Sequence, residues 1–323
     1  MRLPLLAAVI VLVAACSRDK GPLPACPGLA AGEGRLAVPG GTIWYKVSGT
    51  GMGTPVVLLH GGPGFSSFYV KPLEDLGDDR VVIRYDQLGG GKSDRITDTA
   101  MFNIGHFVRE LDSLRSHLGC SRWHVFGHSW GTILALEYYR AHADRVSSLT
   151  FGSPVFDIPA YALRARELLA TLPDSSQRAV RRAEAAHKYD SPAYQNAVSQ
   201  FYALYLFRHP VQADLDSTFA TVNEGIYNYM QGPSEFTISG TLKAYDVTDF
   251  LPRIAVPALL TVGEFDEVGP ELVRGFAARI PHARYALLAG SAHITMWDAR
   301  EENVRAVREF LRSADSASAA PRP

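Results

Sequence analysis

Hydrophobic and polar positions along this chain fall into two alternating rhythms. Short, nearly continuous apolar runs rich in Val, Ile and Leu recur as PVVLLHGG (55–62), RVVIRYDQLG (80–89), RWHVFG (122–127), VSSLTFGSP (146–154), PALLTVGEFD (257–266) and ARYALLAGSAH (283–293). Runs of this kind suit strands buried on both faces of a parallel sheet. Between them lie stretches with helical spacing. In 102–119 the apolar residues Phe107, Leu111, Leu114 and Leu118 share one face, and Gly119 ends the pattern. Residues 131–145, 269–280 and 301–313 read the same way. The segment RLAVPGGTIWYKVSG (35–49) predicts a hairpin around a Pro-Gly-Gly turn.

Strand and helix taking turns imply a parallel sheet with helical crossovers. The rhythm breaks between 155 and 248, which is helical, polar and aromatic-rich. The expected organisation is therefore an α/β core, 35–154 and 249–313, interrupted by a helical cap at 155–248. Residues 314–323, ADSASAAPRP, are expected to be disordered.

The start of the chain has a different character. Arg2 precedes a small apolar stretch that ends in VAAC, with the cysteine at 16. That is the outline of a signal peptide, too short for an ordinary membrane span. The VAAC ending resembles a bacterial lipobox. The resemblance implies loss of residues 1–15, lipid on Cys16 and a tether over 16–34. Ser17 after the cysteine points to the outer membrane, with the protein facing the periplasm. Lipid chains would hold the protein to the membrane surface without a spanning helix. Of the three cysteines, Cys26 and Cys120 remain. Their pairing is open from sequence, with a slight preference for two free thiols.

Composition narrows the function. The 323 residues are 47% hydrophobic with a formal net charge of −1, an ordinary globular balance. A nucleic-acid partner would require a basic surface, so none is expected. No metal-ligand spacing is present, and neither metal nor cofactor is expected. GGGKS (89–93) imitates the end of a phosphate-binding loop, but Asp86 stands where that loop needs its first glycine. Lys92 then reads as a solvated loop charge. Oligomeric state is not legible.

The chemistry concentrates around GHSWG (127–131). A G-x-S-x-G between a strand and a helix describes a sharp turn that exposes a serine, with glycines where strand and helix crowd each other. Ser129 needs a base, and the base needs an acid. In α/β-hydrolases the chain order is serine, acid, histidine. Asp266 follows a late strand and His293 the last one. Glu264 and Asp298 are rival acids. His128 sits inside the motif and is expected to pack aside. Backbone N–H donors for an oxyanion are expected from Trp130 and from Gly62 in HGGPG (60–64), a loop opened by His60.

Taken together, HGGPG, DQLGGGKS, GHSWG, GEFDE and SAHITMWD resemble the proline iminopeptidases and the related tricorn-interacting aminopeptidase of peptidase family S33, over about residues 40–312. The resemblance implies an α/β-hydrolase fold: a mostly parallel sheet, helices on both faces and an inserted helical cap. It implies a serine aminopeptidase that releases an N-terminal residue, proline or another apolar one, from short peptides through an acyl-enzyme. It assigns Ser129, Asp266 and His293 as the triad, and Glu235 (GPSEF) and Glu267 (GEFDE) as a clamp for the substrate's amine. Leu88 stands where many members have Arg, which favours a broader aminopeptidase over a strict proline enzyme. Tyr202, Tyr205, Tyr227 and Tyr229 are candidates to line an apolar pocket, although such stripes more often belong to the core. The alternatives are an esterase, lactonase or amino-acid amidase using the same triad, or a catalytically dead surface binding protein.

Overall fold

Side chains that alternate across a strand need apolar partners on both faces, and this requirement organises the fold. In the computed structural model, which describes residues 26–209 and 213–319, the strands are β1 (Gly32–Val38), β2 (Gly41–Ser48), β3 (Gly53–Leu59), β4 (Arg80–Asp86), β5 (Trp123–His128), β6 (Val146–Gly152), β7 (Ala258–Gly263) and β8 (Arg284–Leu288). They form one sheet in the order β1-β2-β4-β3-β5-β6-β7-β8. The β1–β2 and β2–β4 pairs are antiparallel, and every pair from β4 to β8 is parallel.

The helices are α1 (Ile104–His117), α2 (Trp130–Ala141), α3 (Ile158–Leu169), α4 (Asp174–Ala186), α5 (Pro192–Tyr205), α6 (Ala213–Ala220), α7 (Glu224–Met230), α8 (Pro270–Arg279), α9 (Thr295–Asp298) and α10 (Arg300–Ala319). Val57, Leu59, Ile83 and Val125 meet α1, α2 and α8 in one apolar cluster. Val56, Leu58, Val82 and Phe126 meet Val304, Val307 and Phe310 of α10 in another. The period of two in β3 thus reads directly as the two layers. A 3₁₀ segment, Ser67–Asp78, packs Tyr69, Val70, Leu73 and Leu76 into the second cluster. Nothing in the sequence reading singled it out.

Helices α3 to α7 are inserted between β6 and β7. Their two ends are tied where they leave the sheet. Asp157 and Asp246 form a bridge, Val247 N–H donates to Phe156 O (3.0 Å) and Ile158 N–H to Tyr245 O (2.9 Å).

Two expectations about the ends need correction. Cys26 and Cys120 are joined in a disulfide that closes a loop with a sequence separation of 94, rather than remaining free thiols. A loop of that length stabilises by about 4–5 kcal/mol in the chain-entropy picture. Both cysteines are buried, and β1 starts at Gly32, so 26–34 is fastened to the core rather than a loose tether. The tail differs as well. Expected disorder over 314–323 gives way to helix through Ala319. The physical reason is Asp315. Its carboxylate accepts from the buried Arg80 guanidinium (3.1 Å) and from His124 Nε2 (3.0 Å) at the base of the sheet. A composition that looks disordered is held by one ion pair to a buried charge. The signal segment 1–15 and Cys16 lie outside the described residues. Among the described residues no helix is long and apolar enough to cross a membrane.

Burial pushes the Asp315 carboxyl up, but the hydrogen bond and charge at His124 and the Arg80 charge outweigh it and hold it at about 2. A depressed carboxylate stabilises above its unfolded value, near 3.8, and loses that contribution as pH falls toward 2. Asp315→Asn should therefore cost about 1–2 kcal/mol at neutral pH, with the difference from wild type fading between about pH 4 and 2. Urea titrations at several pH values check this; equal stability at pH 7 would refute the role of the pair.

Candidate active site

Strands β3 and β5 are neighbours, with Leu59 opposite Gly127, so the loops that leave their carboxyl ends are forced side by side. The sheet order also reverses at β3, with β4 on one side and β5 on the other. This is the crevice where open parallel sheets place ligands.

Ser129 joins β5 to α2 with φ 54° and ψ −124°. A non-glycine residue there is strained by about 1–3 kcal/mol. Its neighbours make that backbone obligatory. A Cβ on Gly127 would lie 2.2 Å from Gly131 O, and one on Gly131 would lie 2.3 Å from Leu59 O. Ser129 N–H donates to Gly152 O (3.0 Å), and Ser129 O accepts from Thr132 N–H (2.8 Å) and Oγ1–H (2.6 Å). The strained residue is pinned from both sides.

His293 and Ser129 line the same cavity. Among the described residues Ser129 Oγ makes no hydrogen bond; such contacts often close only when substrate is bound. His293 Nδ1 donates to Asp266 Oδ1 (2.9 Å), which also accepts from Val268 N–H (3.0 Å). Burial raises the Asp266 carboxyl, but the charge and hydrogen bond of His293 outweigh it, leaving the carboxyl below its ordinary range. The rivals have other partners. Glu264 accepts from Gly290 N–H (2.9 Å), while Asp298 accepts from the N–H groups of Arg208, His209 and Ala292.

His128 packs beneath the site. Tyr69 Oη accepts from Gly61 N–H and donates to His128 Nδ1 (2.9 Å), and His128 Nε2–H donates to His293 O (2.9 Å). Burial, reinforced by the neighbouring His293, lowers His128 to about 3, which keeps it neutral in this tautomer.

Because Gly61 N–H is committed to Tyr69, Gly62 presents the next N–H of that loop, at φ 112°. Trp130 opens α2, where first-turn N–H groups have no intrahelical acceptor. Gly62, Ser129 and Trp130 line one pocket with Ile133, Val155, Ile158, Tyr161, Gln231, Glu235 and Leu242.

Glu235 lies in this wall and in that of the cavity holding His293. Its carboxylate accepts from Tyr227 Oη (2.6 Å), Tyr161 Oη (3.0 Å) and Gln231 Nε2 (3.3 Å). Glu267 is fully buried, with Oε1 at 3.8 Å from His293 Nε2 and the Tyr161 hydroxyl near enough to favour its charged form. Burial, then the charges of Glu235 and Asp266, push its pKa well above the usual carboxylate range. A cation entering this space would reverse that preference.

Of the four aromatic candidates, Tyr227 reaches the site through its hydroxyl, and Tyr202 packs against both apolar clusters behind it, where burial and then the charges of Glu235 and Glu267 push its pKa up. Tyr229 is 40% exposed and stacks edge-on with Phe102, and Tyr205 bonds Thr171. The apolar wall instead comes from Phe65, Leu206, Phe219 and Ile294, which the sequence did not single out. Tyr161 was also missed, since it looks like any core tyrosine of a cap helix. The GGGKS turn wraps Asp86: Lys92 N–H donates to its Oδ2 (2.8 Å), and a Cβ on Gly91 would lie 2.3 Å from it. Lys92 Nζ lies 4.4 Å from the centre of the Trp44 ring.

A family model described as alpha/beta hydrolase fold matches residues 54–300. The chain is 37% identical over 284 residues to a proline iminopeptidase of Heyndrickxia coagulans, covering 87% of this chain and 99% of that one. It is 34% identical over 284 residues to a proline iminopeptidase of Saccharolobus solfataricus, covering 86% and 92%. The crystal structure of a proline iminopeptidase from Mycobacterium smegmatis superposes with a TM-score of 0.81 at 31% identity, covering 89% of this chain and all of that one. The chain has the α/β-hydrolase fold and belongs to the proline iminopeptidase family.

Proposed function

We propose that this protein is a serine aminopeptidase that releases an N-terminal proline or other apolar residue from short peptides. The observation that carries this reading is Glu235, a buried carboxylate held by two tyrosine hydroxyls in the wall of a pocket shared with Ser129. An α-amine is mostly ammonium near pH 7. Bound at Glu235, with Glu267 beside His293, it would set the first peptide carbonyl against Ser129.

Ser129 Oγ attacks that carbonyl while His293 Nε2 takes the hydroxyl proton. Asp266 holds the ring through Nδ1–H and stabilises the imidazolium. The carbonyl oxygen, now negative, is met by the N–H groups of Gly62 and Trp130. Collapse breaks the C–N bond, and the His293 proton goes to the leaving amine. Water then attacks the ester with His293 again as base, releasing the residue and restoring Ser129.

Lipid attachment at Cys16 and an envelope location belong to the same proposal. The VAAC ending supports them, and the Cys26–Cys120 disulfide suits an oxidising compartment outside the cytoplasm. Cys16→Ser should move the protein from the membrane fraction to the soluble one on fractionation. A wild-type protein that is already soluble would reject the anchor.

The activity is tested with prolyl and alanyl amide reporters, free and N-acetylated. Free amines should be cleaved and acetylated ones should not. Ser129→Ala should abolish turnover while the melting temperature stays within a few degrees. Glu235→Gln keeps the size but removes the charge and should lower kcat/KM for free amines by about 2–5 kcal/mol. Equal cleavage of acetylated substrates would favour an esterase or general amidase instead.

A further inference from the structure

The oxyanion donors come from two separate loops, and their relative placement must hold to a fraction of an ångström to stabilise a transition state. Gln87, in the loop that follows β4, touches both. It is almost fully buried (1% exposed), as are His60 and Trp130. Its amide oxygen accepts from Trp130 Nε1 (2.8 Å), its amide nitrogen donates to His60 O (3.0 Å), and its backbone N–H donates to His60 Nε2 (3.0 Å).

The last of these bonds settles the His60 tautomer. A backbone N–H can only donate, so Nε2 is the acceptor and the neutral ring carries its proton on Nδ1. That proton is donated to Gly61 O (2.8 Å). Gly61 O and Gly62 N–H belong to one planar trans peptide unit, so fixing the oxygen on one side aims the N–H to the other. Without this bond, a peptide between two glycines would be free to flip, because neither flanking residue has a Cβ to oppose it.

We propose that Gln87, acting with His60, is the positioning residue that locks the oxyanion hole, holding the Gly61–Gly62 peptide through the imidazole and the start of α2 through the Trp130 indole. The inference rests on the serine-aminopeptidase reading and adds to it. Gln87 touches neither substrate nor Ser129. It acts on the donor geometry, and therefore on the transition state more than on the bound substrate.

Three variants separate this role from a general structural one. Gln87→Leu removes every side-chain bond. Gln87→Glu keeps an acceptor for Trp130 but sets a carboxylate oxygen against His60 O. Trp130→Phe removes the indole N–H together with part of the ring that packs against Phe107. Each is measured for melting temperature, for kcat and KM on a prolyl amide, and for binding of two inhibitors. One inhibitor is a free-amine prolyl boronate, whose tetrahedral adduct uses the oxyanion donors. The other is 2-methylpyrrolidine, an amine with no carbonyl.

Folded variants should lose about ten-fold or more in kcat, short of the roughly 10²–10³ for outright removal of a donor, with KM within about two-fold. Boronate affinity should fall by the same factor as kcat/KM, while 2-methylpyrrolidine binding stays at the wild-type value. Folded variants that keep wild-type kcat would overturn the proposal, as would loss of amine binding in step with kcat. Should both Gln87 variants unfold, Trp130→Phe decides alone. A wild-type enzyme that ignores free-amine substrates would instead overturn the function reading, and it would do so before any variant is made.

Discussion

The contact on which the rest depends is the approach of helix α2 to strand β3 at Gly131, where a methyl group would strike the Leu59 carbonyl at 2.3 Å and the His60 carbonyl at 2.8 Å. That closeness brings the loop after β3 against the loop after β5. It forces Ser129 into its left-handed backbone and sets Trp130 N–H and the HGGPG loop around one cavity. The strain at Ser129 persists because β5 and β6 on one side and α2 on the other leave the turn no alternative. The strands, five to eight residues long, and their two apolar layers serve this geometry by packing the sheet tightly on both faces.

What the sequence could disclose follows from the range of each interaction. Strand and helix patterns depend on neighbours within a few positions, so β3, β5, α1 and α10 were readable from alternation and helical spacing. Ser129, Asp266 and His293 could be placed because each follows an apolar run, and chain order does the rest. The contacts between loops were not readable. Gln87 looks like an ordinary polar residue in a turn, and its three bonds exist because β4 lies beside β3 in space. Tyr161 and Tyr227 meet Glu235 only after the cap has folded over the sheet. The tail shows the opposite failure. Its composition argues for disorder, yet one carboxylate finds the buried Arg80 more than 230 positions upstream and continues the helix.

Leu88 is a further case where local reading ends. Its side chain is buried, and its N–H donates to Glu110 Oε2 (3.1 Å). Glu110 is itself buried, and its other oxygen has no hydrogen-bond partner. Burial raises its carboxyl to about 8, with the Leu88 N–H only partly opposing. At neutral pH this group is mostly protonated, so the segment that carries Gln87 rests on a neutral acid rather than on an ion pair. An arginine at 88 would introduce a charge that draws Glu110 into its ionised form. The departure at Leu88 is therefore a change in the electrostatics beneath the oxyanion loop as well as a change of side-chain shape.

The same reasoning applies to the charges above the nucleophile. Asp266 and Glu267 face one imidazole, at 2.9 and 3.8 Å, and Glu235 lines the same cavity as that ring. Asp266 is bonded to His293 and stays ionised, while Glu267 is pushed toward the neutral form by burial and by the other two carboxylates. An empty site of this kind holds acid groups that gain most from a visiting cation. A neutral ester or a blocked peptide would leave Glu267 unsatisfied, whereas an ammonium compensates it and Glu235 together. On the proposed reading, selection of the free amine rests on Glu267 and Glu235, two acidic groups buried close to His293 and Ser129.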